Sequence, residues 1–285
     1  MSVFITGISG YLGQRLAQCA VESDEVSGCY YDHKPELPDQ IQRVRVDIRD
    51  EREVMDAVSK AAPKIIIHTA ALNGGNDECM HQDVNAQGSA NVARAAAAIG
   101  ARLIHVSTDM VHNGCASPYE DEDEATPLNA YGRSKAQAEI WVGQIYSAAT
   151  IVRTSLIYDF RVMPRSTRFF ASAIENNQTV SLFNDVIRQP IALDTLVSAL
   201  LRMARLNCPG FLNIAGKQAV TREYYERKLM DYWKVTAQEP LKSISAAQTH
   251  PAVPLDLRLS LRRAESVLGE LLPGLDEMFA RLSAT

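Results

Sequence analysis

Eight residues near the start of the chain constrain its fold more than any other stretch. Thr6-Gly7-Ile8-Ser9-Gly10-Tyr11-Leu12-Gly13 follows directly on the β-favouring run Val3-Phe4-Ile5. The glycines fall three apart, and each has a separate use. Gly7 permits a tight strand-to-helix turn. Gly10, with Tyr11 and Leu12 beyond it, lets the backbone approach a pyrophosphate with no Cβ in the way. Gly13 lets the helix lie close on a sheet. Amides at a helix start are unpaired donors at the positive end of the dipole, which suits phosphate. Three glycines alone are a weak signal. Their place on a strand–turn–helix junction at the head of an alternating β/α pattern gives them weight.

That alternation runs on for about 155 residues. Strands are expected at 3–5, 26–31, 44–46, 65–67, 103–107 and 151–154, and helices at 12–22, 49–62, 84–99 and 131–146. Ile65-Ile66-Ile67 is apolar without a break, as a strand of a parallel sheet covered on both faces should be. Pro63 stops one helix, and Gly100 closes another as a C-cap residue. The fold class expected is α/β: a doubly wound parallel sheet of the dinucleotide-binding Rossmann kind. Past Ile157 the pattern loosens. Helices are expected at 194–206, 222–233, 262–268 and 275–282 and a strand at 211–214, with 240–254 irregular. These imply a smaller, irregular α/β lobe for substrate, 158–187 with 209–285, on a nucleotide-binding domain formed by 1–157 with 188–208.

Bulk properties exclude several other classes. Hydrophobic residues make up 46% and charged residues 22% of the 285 residues, ordinary for a globular protein. A net charge of −5 implies no general attraction to nucleic acid or anionic lipid. No apolar run is long enough to cross a bilayer, and the first residues do not resemble a signal peptide. Five scattered cysteines without a CxxC pair point to reduced thiols in a cytoplasmic protein. Cys79 and His81 alone do not make a metal site, so none is expected. The acidic run at 120–124 reads as a solvated loop, within a 118–127 segment expected to border the active cleft.

Two clusters carry chemistry. Asp32, about twenty residues beyond the glycines, is placed to bind adenosine ribose hydroxyls. His33 and Lys34 beside it can instead neutralise a 2′-phosphate, which leaves NAD against NADP open. Asp47-Ile48 would border the adenine, though such an aspartate is as often a helix cap. The second cluster is Tyr131-Gly132-Arg133-Ser134-Lys135, which sets a phenol and an amine on one face of a helix. A free tyrosine, with a pKa of about 10, exchanges protons poorly at neutral pH. An adjacent ammonium favours the phenolate, so Lys135 is expected to lower it. Leu103-Ile104-His105-Val106 ends in Ser107-Thr108-Asp109, which puts two hydroxyls at a strand C-terminus, where such folds bind ligands.

The glycine motif, Thr69-Ala70-Ala71, Ser107-Thr108-Asp109 and Tyr131–Lys135 together resemble the extended short-chain dehydrogenase/reductases. Ser107-Thr108-Asp109-Met110-Val111, Pro127-Leu128-Asn129-Ala130-Tyr131-Gly132 and Arg153-Thr154-Ser155-Leu156-Ile157-Tyr158 are similar to the dTDP-4-dehydrorhamnose reductase family within them. The resemblance implies a two-lobed enzyme that binds NAD or NADP and a nucleotide-linked sugar and reduces a keto group, with homodimers common among relatives. The catalytic hydroxyl falls on Thr108, the proton donor on Tyr131 and the lysine on Lys135. Ala70, Ala71, Leu72, Asn85 and Ser107 fall beside the cofactor, and Thr108, Asp109, Met110 and Arg188 beside the substrate. Asn85 can equally be an N-cap, and Arg188 a surface salt-bridge residue. The chain departs from the family at Leu72-Asn73-Gly74-Gly75, where His-Thr usually follows the alanines, and at Met110 and His112, which face the cleft in relatives. Epimerases and dehydratases share these motifs. A non-catalytic branch, the regulatory subunit of methionine adenosyltransferase, shares the fold.

Overall fold

A computed structural model describes residues 1–75, 77–236, 241–250, 252–269 and 272–283. Its centre is a seven-stranded sheet built from β1 (Ser2–Thr6), β2 (Glu25–Tyr30), β3 (Gln42–Arg45), β4 (Ile65–His68), β5 (Arg102–Thr108), β6 (Thr150–Thr154) and Gly210–Ile214. The order across the sheet is Gly210–Ile214, β6, β5, β4, β1, β2, β3, and every neighbouring pair is parallel. Side chains alternate across a strand, so one apolar run serves two cores. Val3, Ile5, Ile65, Ile67, Ile104 and Val152 pack with Leu16 of the Tyr11–Ala20 helix and Leu196 and Leu200 of the Leu193–Met203 helix. Phe4, Ile66, Leu103 and Ile151 face the other way, onto Val54, Ala93, Ala96 and Val142 of the opposite helices. The doubly wound α/β expectation holds.

From β1 the chain proceeds outward through β2 and β3, then returns to the other side of β1 as β4. The crevice between the carboxyl ends of β1 and β4 is therefore the switch point, the usual ligand site of open α/β sheets.

Several expected elements shift. The 84–99 helix is a turn of π-helical pitch, Gln82–Gln87, running into the Gly88–Ile99 helix. Gly210–Ile214, assigned to the smaller lobe from sequence, pairs with β6 and belongs to the main sheet. A helix that the loosened pattern hid spans Arg165–Glu175. Pro240, where the irregular stretch was expected to begin, lies outside the described residues. Within that stretch Lys242–Ile244 is a strand paired with Ser181–Phe183, and Ala246–Thr249 is one helical turn.

One buried network ties the sheet to the helix Ala130–Ile145. Arg153 Nη2 lies 2.9 Å from Glu139 Oε2, each side chain 2% exposed. Ser107 donates to Glu139 Oε1 at 2.5 Å. Arg153 also donates to the carbonyls of Asp121 and Asp123 and lies 4.4 Å from the Phe211 ring centroid. The acidic run is thus not simply solvated: Asp121 is buried and its carboxylate accepts from Asn213 N. Removing one partner of a buried pair leaves the other charge uncompensated. Glu139→Ala should cost ~3–5 kcal/mol of unfolding free energy, measured by urea denaturation; a loss below ~1 kcal/mol would contradict this role for the pair.

Candidate active site

The glycine turn behaves as its spacing implies. Gly7 has φ +67°, and a Cβ there would stand 2.7 Å from Ala70 Cα; a Cβ on Gly13 would collide with the Gly7 carbonyl oxygen. Gly10 is the N-cap of the Tyr11–Ala20 helix and gives it no side-chain cap. The first-turn amides are left for a ligand such as phosphate. Gly10, Tyr11, Leu12, Gly13 and Ala71 line one side of a cleft of about 1110 Å³, whose wall also includes Thr108, Tyr131 and Lys135. A bare helix start and a close-approach turn opening into such a cleft fit a dinucleotide.

Asp32, His33 and Lys34 are exposed just past β2 and are not part of the cleft lining. Asp47 is taken up by Arg49, whose Nε lies 2.9 and 3.0 Å from its two oxygens and holds its pKa down. Ile48 is buried, its Cδ1 2.7 Å from where a Gly88 Cβ would stand, so its side chain is core. Asn85 lies inside the π-pitched turn and is no N-cap. Its amide clamps the loop after β4: Leu72 N donates to Asn85 Oδ1 at 2.7 Å, and Asn85 Nδ2 donates to Leu72 O and to Ser134 Oγ, each at 2.9 Å. Asn85 thus fixes the strand end carrying Ala70, Ala71 and Leu72 against the Tyr131 helix.

That helix starts where it does for local reasons. Asn129 caps it by accepting from Gly132 N at 2.8 Å. Gly132 must lack a Cβ because the Met110 carbonyl oxygen occupies that space. The close approach brings Tyr131 to the end of β5. Its phenol is pushed up to about 12, by burial first and then by the Asp109 carboxylate, with Thr108 and Arg188 opposing. This reverses the downward shift expected from Lys135. The lysine is itself buried, 2% exposed, and pulled down to about 8 by desolvation, with Glu139 opposing. It donates to Val106 O at 2.8 Å and lies 3.3 Å from His105 Nε2.

The two hydroxyls at the strand end part company. Both residues line the cleft, but the Ser107 hydroxyl is committed to Glu139, whereas the Thr108 hydroxyl accepts from Met110 N at 3.2 Å beside Tyr131. Asp109 is fully buried and gripped by Arg188 at 2.7 Å (Nε to Oδ2) and 2.5 Å (Nη2 to Oδ1). Arg188 is therefore no surface residue; it lines the cleft together with Met110. His112 does not face the cleft. It is buried, stacked on Tyr119 with ring centroids 3.9 Å apart.

Sequence reasoning missed Arg165, Arg168, Phe169 and Arg222, all of which line the cleft. Pro164 followed by arginines at helical spacing was a usable signal for the first two; nothing local marks Arg222. A side pocket of about 230 Å³, bounded by Phe170, Leu182, Val186 and Glu226, adjoins Met110, Arg188 and Arg222. Among the described residues no three His, Cys, Asp or Glu side chains group as metal ligands, and no helix is long and apolar enough to cross a membrane.

Fold and site together define a Rossmann-type protein with a tyrosine–lysine pair at the switch-point cleft. Residues 1–281 match the RmlD substrate binding domain family, and the chain belongs to it. It is 27% identical over 256 residues to a dTDP-4-dehydrorhamnose reductase of Sinorhizobium fredii, covering 84% of this chain and 86% of that one. It is 32% identical over 162 residues to methionine adenosyltransferase 2 subunit beta of Bos taurus, covering 55% and 47% of the two chains. A solved dTDP-4-dehydrorhamnose reductase of Bacillus anthracis in complex with NADP superposes with a TM-score of 0.80 at 23% identity, covering 98% and 97%.

The buried histidines set an acid limit on stability. Burial, with nearby cations assisting, pulls His68 to about 3, His112 to about 4 and His105 well below the ordinary 6.5. Between those values and 6.5 the unfolded chain binds protons that the fold refuses, so this stability is whole above about 6.5 and falls as pH drops toward 3. Urea midpoints should fall steadily from pH 7 to about pH 4.5; a flat profile would mean that these histidines take protons in the fold.

Proposed function

We propose that this chain is an NAD(P)-dependent oxidoreductase that reduces a keto group of a nucleotide-activated sugar. The observation that carries the reading is the joint presence of Thr108, Tyr131, Lys135 and the bare helix start after Gly10 in the wall of one cleft. Gly10, Tyr11 and Leu12 would hold the pyrophosphate, Ala71 would border the cofactor, and Lys135 would bind its nicotinamide ribose; when bound, the nicotinamide supplies a hydride to the carbonyl carbon. The complex of the Bacillus anthracis reductase with NADP supports this choice of cofactor.

Tyr131 donates its phenolic proton to the carbonyl oxygen as negative charge develops there. A phenol pushed up to about 12 is protonated at neutral pH, the state a reduction requires. Thr108 holds the same oxygen in line. Arg165 and Arg168 give the cleft cationic, fork-shaped donors that suit a diphosphate linkage, while Arg188 and Arg222 beside them are already paired with Asp109 and Glu226. A dehydratase needs a further acid and base near the carbonyl. Asp109 is locked to Arg188 and Met110 cannot ionise, which counts against dehydration.

The match to methionine adenosyltransferase 2 subunit beta favours a second reading, a non-catalytic cofactor-binding subunit. A panel of keto-sugar nucleotides assayed for NADPH and NADH oxidation separates the two. On an accepted substrate, Tyr131→Phe should lower turnover by about a hundred- to ten-thousand-fold, with cofactor affinity nearly unchanged. Thr108→Ala should lower turnover and leave dinucleotide binding intact; Ser107→Ala should matter less. Cofactor binding without oxidation on any substrate favours the regulatory reading; full turnover by Tyr131→Phe would instead mean that Tyr131 is not the proton donor.

A further inference from the structure

Beneath Lys135 lies a buried group that the mechanism above does not use. His105, on β5, is wholly buried, and its Nε2 faces the Lys135 ammonium at 3.3 Å. A lysine ammonium has only hydrogens to offer, so Nε2 must be the bare, accepting nitrogen. The ring hydrogen then sits on Nδ1, which is buried with no partner among the described residues. The other acceptor for the ammonium is Val106 O at 2.8 Å. The neighbouring ring on β4, His68, lies 5.1 Å away centroid to centroid and has both nitrogens occupied, by Thr6 Oγ1 at 2.6 Å and Ser89 Oγ at 2.9 Å. His68 therefore walls His105 in without competing for Lys135.

From this geometry we infer that His105 is a positioning residue: as a neutral acceptor beneath Lys135, it holds the lysine protonated and aimed into the cofactor cleft. Lys135 needs such help. Burial strips its hydration, and the charge opposing that loss is Glu139 on its own helix, which is itself paired with Arg153 and bonded to Ser107. Tyr131 on the same helix and Thr108 and Ser107 on β5 line the same cleft as Lys135, and His68 on β4 lies beside His105. Neither histidine is charged at neutral pH, since burial and the Lys135 charge both oppose it. An acceptor that cannot become a competing cation keeps the ammonium stable across the working range. Losing it leaves one carbonyl to hold a buried charge, so Lys135 should give up its proton at lower pH.

This inference rests on the proposed role of Lys135 at the cofactor, yet its test needs no substrate. NADPH affinity of the full chain is measured by calorimetry from pH 6 to about pH 9.5. The wild-type affinity should fall on the alkaline side as Lys135 loses its proton. His105→Phe should move that fall by about one pH unit or more to the acid side. His105→Gln, whose amide oxygen reaches the place of Nε2, should restore it. His105→Asn, whose amide reaches only the place of Nδ1, should not. An effect on folding alone would weaken binding at every pH and leave the midpoint in place. An unmoved midpoint in His105→Phe, or equal shifts in the Gln and Phe variants, overturns the inference. Absence of NADPH and NADH binding by the wild type overturns the cofactor reading itself.

Discussion

The structure depends on a backbone contact that no side chain could survive. At the switch point, Gly7 turns with φ +67° so close to Ala70 that a Cβ would lie 2.7 Å from its Cα. Gly13 then lets the first helix settle over the same turn. Because β1 and β4 can meet there, the chain can wind outward to β3 and return, leaving a crevice at the strand ends. The bare helix start after Gly10 faces that crevice, and the ends of β4, β5 and β6 reach it from the other side. Sheet order and ligand cleft are two consequences of one missing methyl group.

Around the cleft, buried charges decide which groups are free to react. Ser107 and Thr108 of β5 both line the cleft, but the Ser107 hydroxyl donates to Glu139, itself paired with Arg153. The Thr108 hydroxyl lies beside Tyr131. Asp109, which a sequence reading could take for an acid, is consumed by Arg188. Tyr131, beside the Thr108 hydroxyl, has its proton held by burial and by the Asp109 charge. Each assignment follows from a partner rather than from residue type.

Those partners also mark how far the sequence was legible. The glycine turn, the unbroken Ile65-Ile66-Ile67 strand and the Tyr131–Lys135 spacing are local patterns, and local physics reads them. Asp109 and Arg188 lie 79 residues apart, and only the closed fold reveals their pairing. The upward shift of Tyr131 was invisible for the same reason: it comes from burial and from Asp109, while Lys135 is engaged with Val106 and His105. Asn85 was expected beside the cofactor by resemblance, with an N-cap as the alternative because asparagine is favoured there. The π-pitched turn that carries it instead onto Leu72 has no simple sequence signature. The Arg165–Glu175 helix was missed because its exposed, strongly basic first turns face a cleft that sequence alone cannot place.

The central claim, that the cleft transfers hydride to a keto carbon, is tested most directly by isotope. Purified protein is given NADPH deuterated at the transferable C4 position together with an accepted keto-sugar nucleotide, and the product is analysed by mass spectrometry and NMR. One deuterium on the carbon that bears the new hydroxyl, with one equivalent of cofactor oxidised, is the predicted result. Product free of deuterium, or a sugar altered with no net cofactor oxidation, would contradict it.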